Sequence, residues 1–192
     1  MKTTSMLTFM TLLMYSTSET QKLDVPKAKV SYTDFEDLVK VVKDHREKRL
    51  ISFEEFLEKS DDINVTILDT RSKDLYDKKH VKGAVHLNCS DFTQRNLAKV
   101  IPDKETTILI YCNNNFDGDA VLFMSKIAII PRSEEEKKKT LSLALNIPTY
   151  INLYGYGYKN VYELYELISF FDQRIKYEGS SFNKWYNNNN KQ

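Results

Sequence analysis

Thr107-Ile-Leu-Ile-Tyr-Cys-Asn-Asn-Asn-Phe-Asp-Gly-Asp119 changes character halfway along. The run 107–111 is apolar and rich in β-branched residues, the composition of a buried strand. It stops at Cys112, and Asn113, Asn114, Asn115, Phe116, Asp117 and Gly118 follow. Asn, Asp and Gly tolerate backbone angles that other residues avoid, so a tight loop is expected here. A helical pattern resumes near Asp119 through Ala120, Val121, Phe123, Met124 and Ile127. A cysteine between a strand and a helix can face several backbone N–H groups and the positive end of the helix. Those surroundings favour the thiolate, the nucleophilic form. Cys112 is therefore the candidate nucleophile, and residues 113–118 are its candidate anion cradle.

Working back from Cys112, residues 65–71 read as a strand ending in Asp69 and Arg71, which share one side by strand period. Ser72 can cap a helix through Leu75, Tyr76 and His80. Residues 81–87 read as a turn and short strand, and 90–101 as a helix closed by Pro102. Residues 49–51 are a short strand candidate. Ser52 and Glu55 form a capping box before Phe53, Phe56 and Leu57. Residues 33–48 read as an amphipathic helix with a capping box at Thr33 and Glu36. Phe35, Leu38, Val39 and Val42 share its inner face, and His45 is expected to be solvated among charges. Downstream, Ser133 and Glu136 can cap a solvated helix over 131–139, where Glu134–Lys138 and Glu135–Lys139 pair at i,i+4. Residues 149–154 read as a strand. Gly155 and Gly157 then turn the chain into a last helix with Val161, Leu164, Tyr165 and Ile168 inward. Strands alternating with helices predict an α/β fold with a mostly parallel sheet, whose functional groups gather at the carboxyl ends of the strands.

A chain of 192 residues can bury one sizeable core. With 41% apolar and 12% aromatic residues it has a globular composition. A formal charge of +1 gives no electrostatic case for nucleic acid or an anionic membrane. Two cysteines are too few for a disulfide scaffold. At the N-terminus, Met1-Lys2, an apolar run over 6–15 and Ser16-Thr-Ser18 have the layout of a secretory signal peptide, with an apolar part too short to span a membrane. The expected organisation is a signal peptide over 1–18, a linker and N-terminal helix over 19–48, a domain over 49–171 and a tail over 172–192. The protein is then exported, periplasmic or secreted, without stable membrane insertion after cleavage.

Four blocks together resemble the rhodanese-like domain. Leu68-Asp69-Thr70-Arg71 is similar to its Asp-x-Arg strand end, and His80-Val-Lys-Gly83-Ala84-Val-His-Leu87 to its His-x-x-Gly-Ala segment. Ile108-Leu-Ile-Tyr-Cys112 is similar to its catalytic strand and nucleophile. Tyr156-Gly-Tyr-Lys-Asn-Val-Tyr-Glu-Leu164 is similar to its closing Gly-Tyr-Lys-Asn-Val turn and helix. The blocks keep the family's order over about residues 50–170. The resemblance implies a three-layer fold, a central parallel sheet flanked by helices, with an additional N-terminal helix and a helical insertion before the last strand. It also implies persulfide chemistry. Cys112 takes sulfane sulfur from a small donor and passes it to a thiophilic acceptor, with no metal or organic cofactor and with room for a protein partner. Asp69 and Arg71 are then architectural, His80 anchors its turn and Gly83 permits its backbone angles.

The loop departs from members active on thiosulfate. Asn115 stands where they often carry Gly, Asp117 where they often carry a cation, and no Lys or Arg lies between Cys112 and Ser125. A like-charge contact at about 4 Å costs about 4 kcal/mol at an effective dielectric near 20, so an anion meeting Asp117 and Asp119 is disfavoured. The phosphatase pattern Cys-x5-Arg fails at Gly118. A catalytically idle rhodanese-like binding module is the first alternative to sulfur transfer. A thiol redox protein using Cys89 and Cys112 is the second. Cys89 itself reads as a buried small hydrophobe, and Cys89, Cys112, His80 and His86 lack standard zinc spacing.

Overall fold

A computed structural model describes residues 26–130 and 139–182. The expected signal peptide, most of the expected 131–139 helix and Trp185 lie outside the described residues. The described residues from Tyr32 onward belong to one compact unit.

Helix α1 (Tyr32–Glu47) precedes strand β1 (Leu50–Ile51). Helix α2 (Phe53–Ser60) starts on the expected capping box. The Ser52 hydroxyl accepts the Glu55 N–H, and the Glu55 carboxylate accepts the Ser52 N–H at 2.9 Å. Strand β2 (Val65–Asp69) leads to α3 (Lys73–Lys78), capped by Ser72. Two short strands follow, β3 (His80–Val81) and β4 (Val85–His86). His80 thus sits in a strand, not on the preceding helix. A 3-10 turn at Cys89–Asp91 and helix α4 (Gln94–Val100) replace the single helix expected over 90–101. Strand β5 (Thr107–Tyr111) then ends at Cys112.

Beyond Cys112 the chain departs from the sequence expectation. Asn113–Asn115 form a 3-10 turn, β6 (Phe116–Asp117) follows, and no helix forms over 119–127. Asp119 accepts the Leu122 N–H at 3.0 Å and an ion pair from Lys79, which closes a local turn instead of a helix. Strands β7 (Ile127–Ile130) and β8 (Lys139–Ser142) pair as an antiparallel hairpin. Helix α5 (Asn146–Gly155) occupies the place expected to hold a strand. Pro148 is its third residue, inside the first turn where proline costs no hydrogen bond. Tyr150 and Leu153, three apart, are both buried. Strand β9 (Val161–Leu164) replaces the expected last helix. It lies between β1 and β5, and both faces of the sheet are covered there, Val161 in one core and Leu164 in the other, which hides the alternation that would mark a strand. Strands β10 (Ile168–Ser169) and β11 (Tyr177–Glu178) pair with β6 and β3, so the first part of the tail is integral to the domain.

Five strands form one parallel sheet in the order β1-β9-β5-β2-β4. Side-chain alternation splits the core between its two faces. Ile67, Leu109, Tyr111 and Leu164 pack toward α2 and the chain beyond Phe116. Leu68, Ile108, Ile110 and Val161 pack toward α1, α4 and α5. This is the three-layer α/β architecture, with α1 as the additional N-terminal helix. His45 is only partly exposed, among the expected charges. It meets the Tyr150 hydroxyl at 2.9 Å and lies edge-on to Tyr150 and Tyr154. Burial, then the charges of Arg49, Lys159 and Lys48, hold its pKa below the ordinary imidazole value.

Candidate active site

Cys112 ends the central strand, 1% exposed. The crossover from β5 to β9 through α5 brings the start of that ten-residue helix back over the strand end. There the Leu145 N–H donates to Cys112 Sγ at 3.2 Å. The helix positive end expected beside the thiol is present, supplied by α5 and not by residues 119–127.

Asn115 fixes this arrangement. Its Oδ1 accepts the Cys112 N–H at 2.9 Å and the Asn146 Nδ2–H at 3.0 Å. Its Nδ2 donates to the Leu164 and Glu166 carbonyls at 2.8 and 3.1 Å. One buried amide thereby ties the nucleophile's backbone, the first residue of α5 and the end of β9. Asn114 ties the same loop to the hairpin: its Oδ1 accepts the Lys126 N–H at 2.8 Å. Asn113 is fully buried, and among the described residues neither its amide atoms nor Asn146 Oδ1 finds a hydrogen-bond partner. A cleft of about 200 Å³ is lined by Asn114, Asn115, Ser142, Asn146, Arg46 and Glu163, while Cys112 and Asn113 lie behind it and are not among its lining residues. Arg46 and Glu163 hold each other through two bonds of 2.5 and 2.6 Å.

The remaining members of the expected cradle lie elsewhere. Phe116 is buried against Tyr111 and Phe123. Asp117 is exposed, accepts the Gly118 N–H, and lies on a strand paired to Ser169. Gly118 has φ +95 and sits against the Phe171 ring. Asp119 is held by Lys79 Nζ at 2.7 Å. An anion at the cleft would therefore meet neutral amides, a hydroxyl and the Arg46–Glu163 ion pair, not the two aspartates.

Asp69 and Arg71 form a buried ion pair below the loop, 0% and 1% exposed. Arg71 Nη2 meets Asp69 Oδ2 at 2.7 Å, and Nε reaches both carboxylate oxygens at 3.1 Å. Its other donors go to the Lys79 and Leu122 carbonyls at 2.5 and 2.9 Å. Burial works against the guanidinium charge, but the bonds to and charge of Asp69 outweigh it and raise the Arg71 pKa. Tyr111 adds its hydroxyl, donating to Asp69 Oδ2 at 2.6 Å and accepting the Val81 N–H. His80 is buried, stacked on Tyr76 at 3.8 Å, with Nδ1 2.6 Å from the Tyr76 carbonyl. Gly83 has φ +78 with open space around it, so the angle alone demands glycine. His80 and Gly83 shape the turn between β3 and β4 and do not line the cleft.

Leu145, Asn146 and Thr149 were missed at the sequence level. The signal was Asn146-Ile-Pro148, a proline suited to a first helical turn.

A family model described as the rhodanese-like domain matches residues 52–166. The chain belongs to the rhodanese-like domain family. The match spans α2 to the end of β9, which contains Cys112, the Asp69–Arg71 pair and the whole hairpin insertion. The rhodanese-like chain is also 35% identical over 46 residues to the thiosulfate sulfurtransferase PspE of Escherichia coli (strain K12), a stretch covering 24% of this chain and 43% of that protein. The match spans less than half the length of that relative. Among solved structures, the rhodanese-like domain of the Alr3790 protein from Anabaena sp. is 18% identical, with a TM-score of 0.46 over 70% of this chain and 81% of that one. A rhodanese with anions from E. coli is 18% identical, with a TM-score of 0.36 over 60% and 98% of the two chains.

The Leu145 N–H can be removed singly. Leu145 has φ −74, an angle proline adopts. Leu145→Pro is expected to slow alkylation of Cys112 at fixed pH about tenfold or more, the worth of one hydrogen bond to a charged group. Circular dichroism should show α5 retained. An unchanged alkylation rate would remove this N–H from the account.

Proposed function

We propose that this rhodanese-like protein carries and transfers sulfane sulfur on Cys112, working after export through residues 1–18. The observation that carries this reading is the Leu145 N–H donated to Cys112 Sγ at the start of α5. A thiolate there can attack the sulfane sulfur of a donor, displace the donor's remainder, and hold the resulting persulfide. The unpaired polar atoms of Asn113 and Asn146 are the groups that would meet the polar atoms of an incoming donor.

The cleft argues for the kind of donor. Its Arg46 is already bound by Glu163, so a dianion such as thiosulfate finds no free cation among the lining residues. Neutral amides suit an organic persulfide. With cysteine persulfide and thiosulfate compared side by side, kcat/KM is expected to favour the persulfide by at least about tenfold, equivalent to one charge-assisted contact not made. Equal or better turnover of thiosulfate would overturn this choice of donor. The burial of Cys112 favours a second reading, a binding module that does no chemistry. Absence of turnover with both donors would select it.

A further inference from the structure

A second cavity, of about 450 Å³, is lined by His45, Lys48, Arg49 and Tyr162, with no acidic side chain among them. It shares no lining residue with the cleft near Cys112. Arg49 is fixed there at backbone and side chain. Its carbonyl accepts the Glu163 N–H at 3.0 Å, beside the β1–β9 ladder. Its Nε donates to His45 Nε2 at 3.2 Å. With Nε2 as acceptor, the proton of a neutral His45 sits on Nδ1 and is donated to the Tyr150 hydroxyl at 2.9 Å. That hydroxyl, fully buried, donates to the Val161 carbonyl at 3.1 Å. The bonds thus run in one direction from Arg49 into the core. Burial and the charges of Arg49, Lys159 and Lys48 favour the neutral His45 that this chain requires. The Arg49 guanidinium and the Lys59 ammonium lie 5.0 and 4.9 Å from the centroid of the Tyr162 ring. Arg46 has Glu163 as its counter-charge, but among the described residues Arg49 and Lys48 form no ion pair. The C-terminal end of α1 attracts cations. That accounts for their presence, and not for one guanidinium held in place with its terminal nitrogens unused.

We infer that this cavity is a binding site for a small oxyanion of the phosphate and sulfate class, held by the Arg49 guanidinium and the Lys48 ammonium beside the Tyr162 ring. The planar guanidinium matches two oxygens of such an anion, and the ammonium adds a compact point charge. Lys59 and Lys159 strengthen the positive potential from either side of the contact. Because Arg49 is already oriented, binding does not have to order its side chain, which favours affinity. A dianion also relieves the mutual repulsion of cations that have no carboxylate of their own. His45 is then a positioning residue: it holds Arg49 through Nε and leaves the terminal nitrogens to the anion. The site is independent of the sulfur chemistry of Cys112.

The test titrates inorganic phosphate into the full chain at about pH 8, where His45 is neutral, with sodium chloride exchanged to keep ionic strength constant. The Arg49 Nε–H and His45 ring resonances are followed by NMR. Both should shift together and saturate with a Kd below about 10 mM, the range of a few charge-assisted hydrogen bonds. Arg49→Gln should weaken binding at least about tenfold, read at the His45 ring. His45→Asn keeps a donor for Tyr150 and removes the acceptor for Arg49 without changing the charge. It should weaken binding at least about threefold, read at the Arg49 Nε–H, with an unchanged circular dichroism spectrum. A merely structural His45 would leave the affinity as it was, and that result would overturn its positioning role. Shifts that grow linearly without saturating, or that chloride alone reproduces, would reduce the effect to screening and overturn the site. Wild-type affinity in Arg49→Gln would overturn it as well.

Discussion

Asp69→Ala is expected to cost about 3–5 kcal/mol of folding stability, because it leaves the buried Arg71 guanidinium without its counter-charge. Both side chains are essentially fully buried, so solvent cannot stand in for the lost carboxylate. The substitution also takes the acceptor from the Tyr111 hydroxyl, and a buried hydroxyl without a partner adds about 1–3 kcal/mol. Against a total of about 5–15 kcal/mol for a domain, the loss should appear as a large fall in the urea midpoint. Asp69→Leu combined with Arg71→Met should recover part of it, since removing both charges costs less than stranding one. A single-variant loss below about 1 kcal/mol would contradict the assignment of this pair as the support of the loop. Arg71 also holds the Leu122 and Lys79 carbonyls. Destabilisation should therefore spread to the chain after Phe116, which hydrogen exchange would report.

Cys112→Ser is expected to reduce sulfur loading by more than about a thousandfold, the scale on which loss of a nucleophile registers. A serine hydroxyl is a poor nucleophile without an adjacent base. It can still accept the Leu145 N–H, so the fold and the Asn115 network should persist. Loss of loading with an unchanged urea midpoint separates chemistry from stability. Retained loading would mean that another group, Cys89 foremost, is the primary acceptor.

The parts legible in the sequence were those set by local chemistry or by a side chain's neighbour two or three residues away. The Ser52–Glu55 capping box, the Ser72 cap, the apolar run ending at Cys112 and the shared side of Asp69 and Arg71 are of this kind. The parts that were not legible depend on distant partners. Residues 149–154 carry β-branched and aromatic side chains and read as a strand. They form α5 because Tyr150 and Leu153 fill the space between α1 and the sheet. Residues 161–164 show the spacing of a helix face, yet they form an inner strand whose two faces are both covered, which erases the period of two. The turn at 119–122 depends on Lys79, forty residues away in sequence, whose ammonium pairs with Asp119. Exchanging helix and strand after residue 145 left Cys112 correctly placed at a strand end. It hid the helix that serves the thiol, and with it Leu145, Asn146 and Thr149.

The most direct test of the central claim is the mass of the Cys112 peptide after the full chain is incubated with cysteine persulfide and alkylated. The account predicts a gain of one sulfur on that peptide, removed by a thiol acceptor and absent in Cys112→Ser. A peptide that never gains sulfur, although Cys112 is open to alkylation, would contradict it.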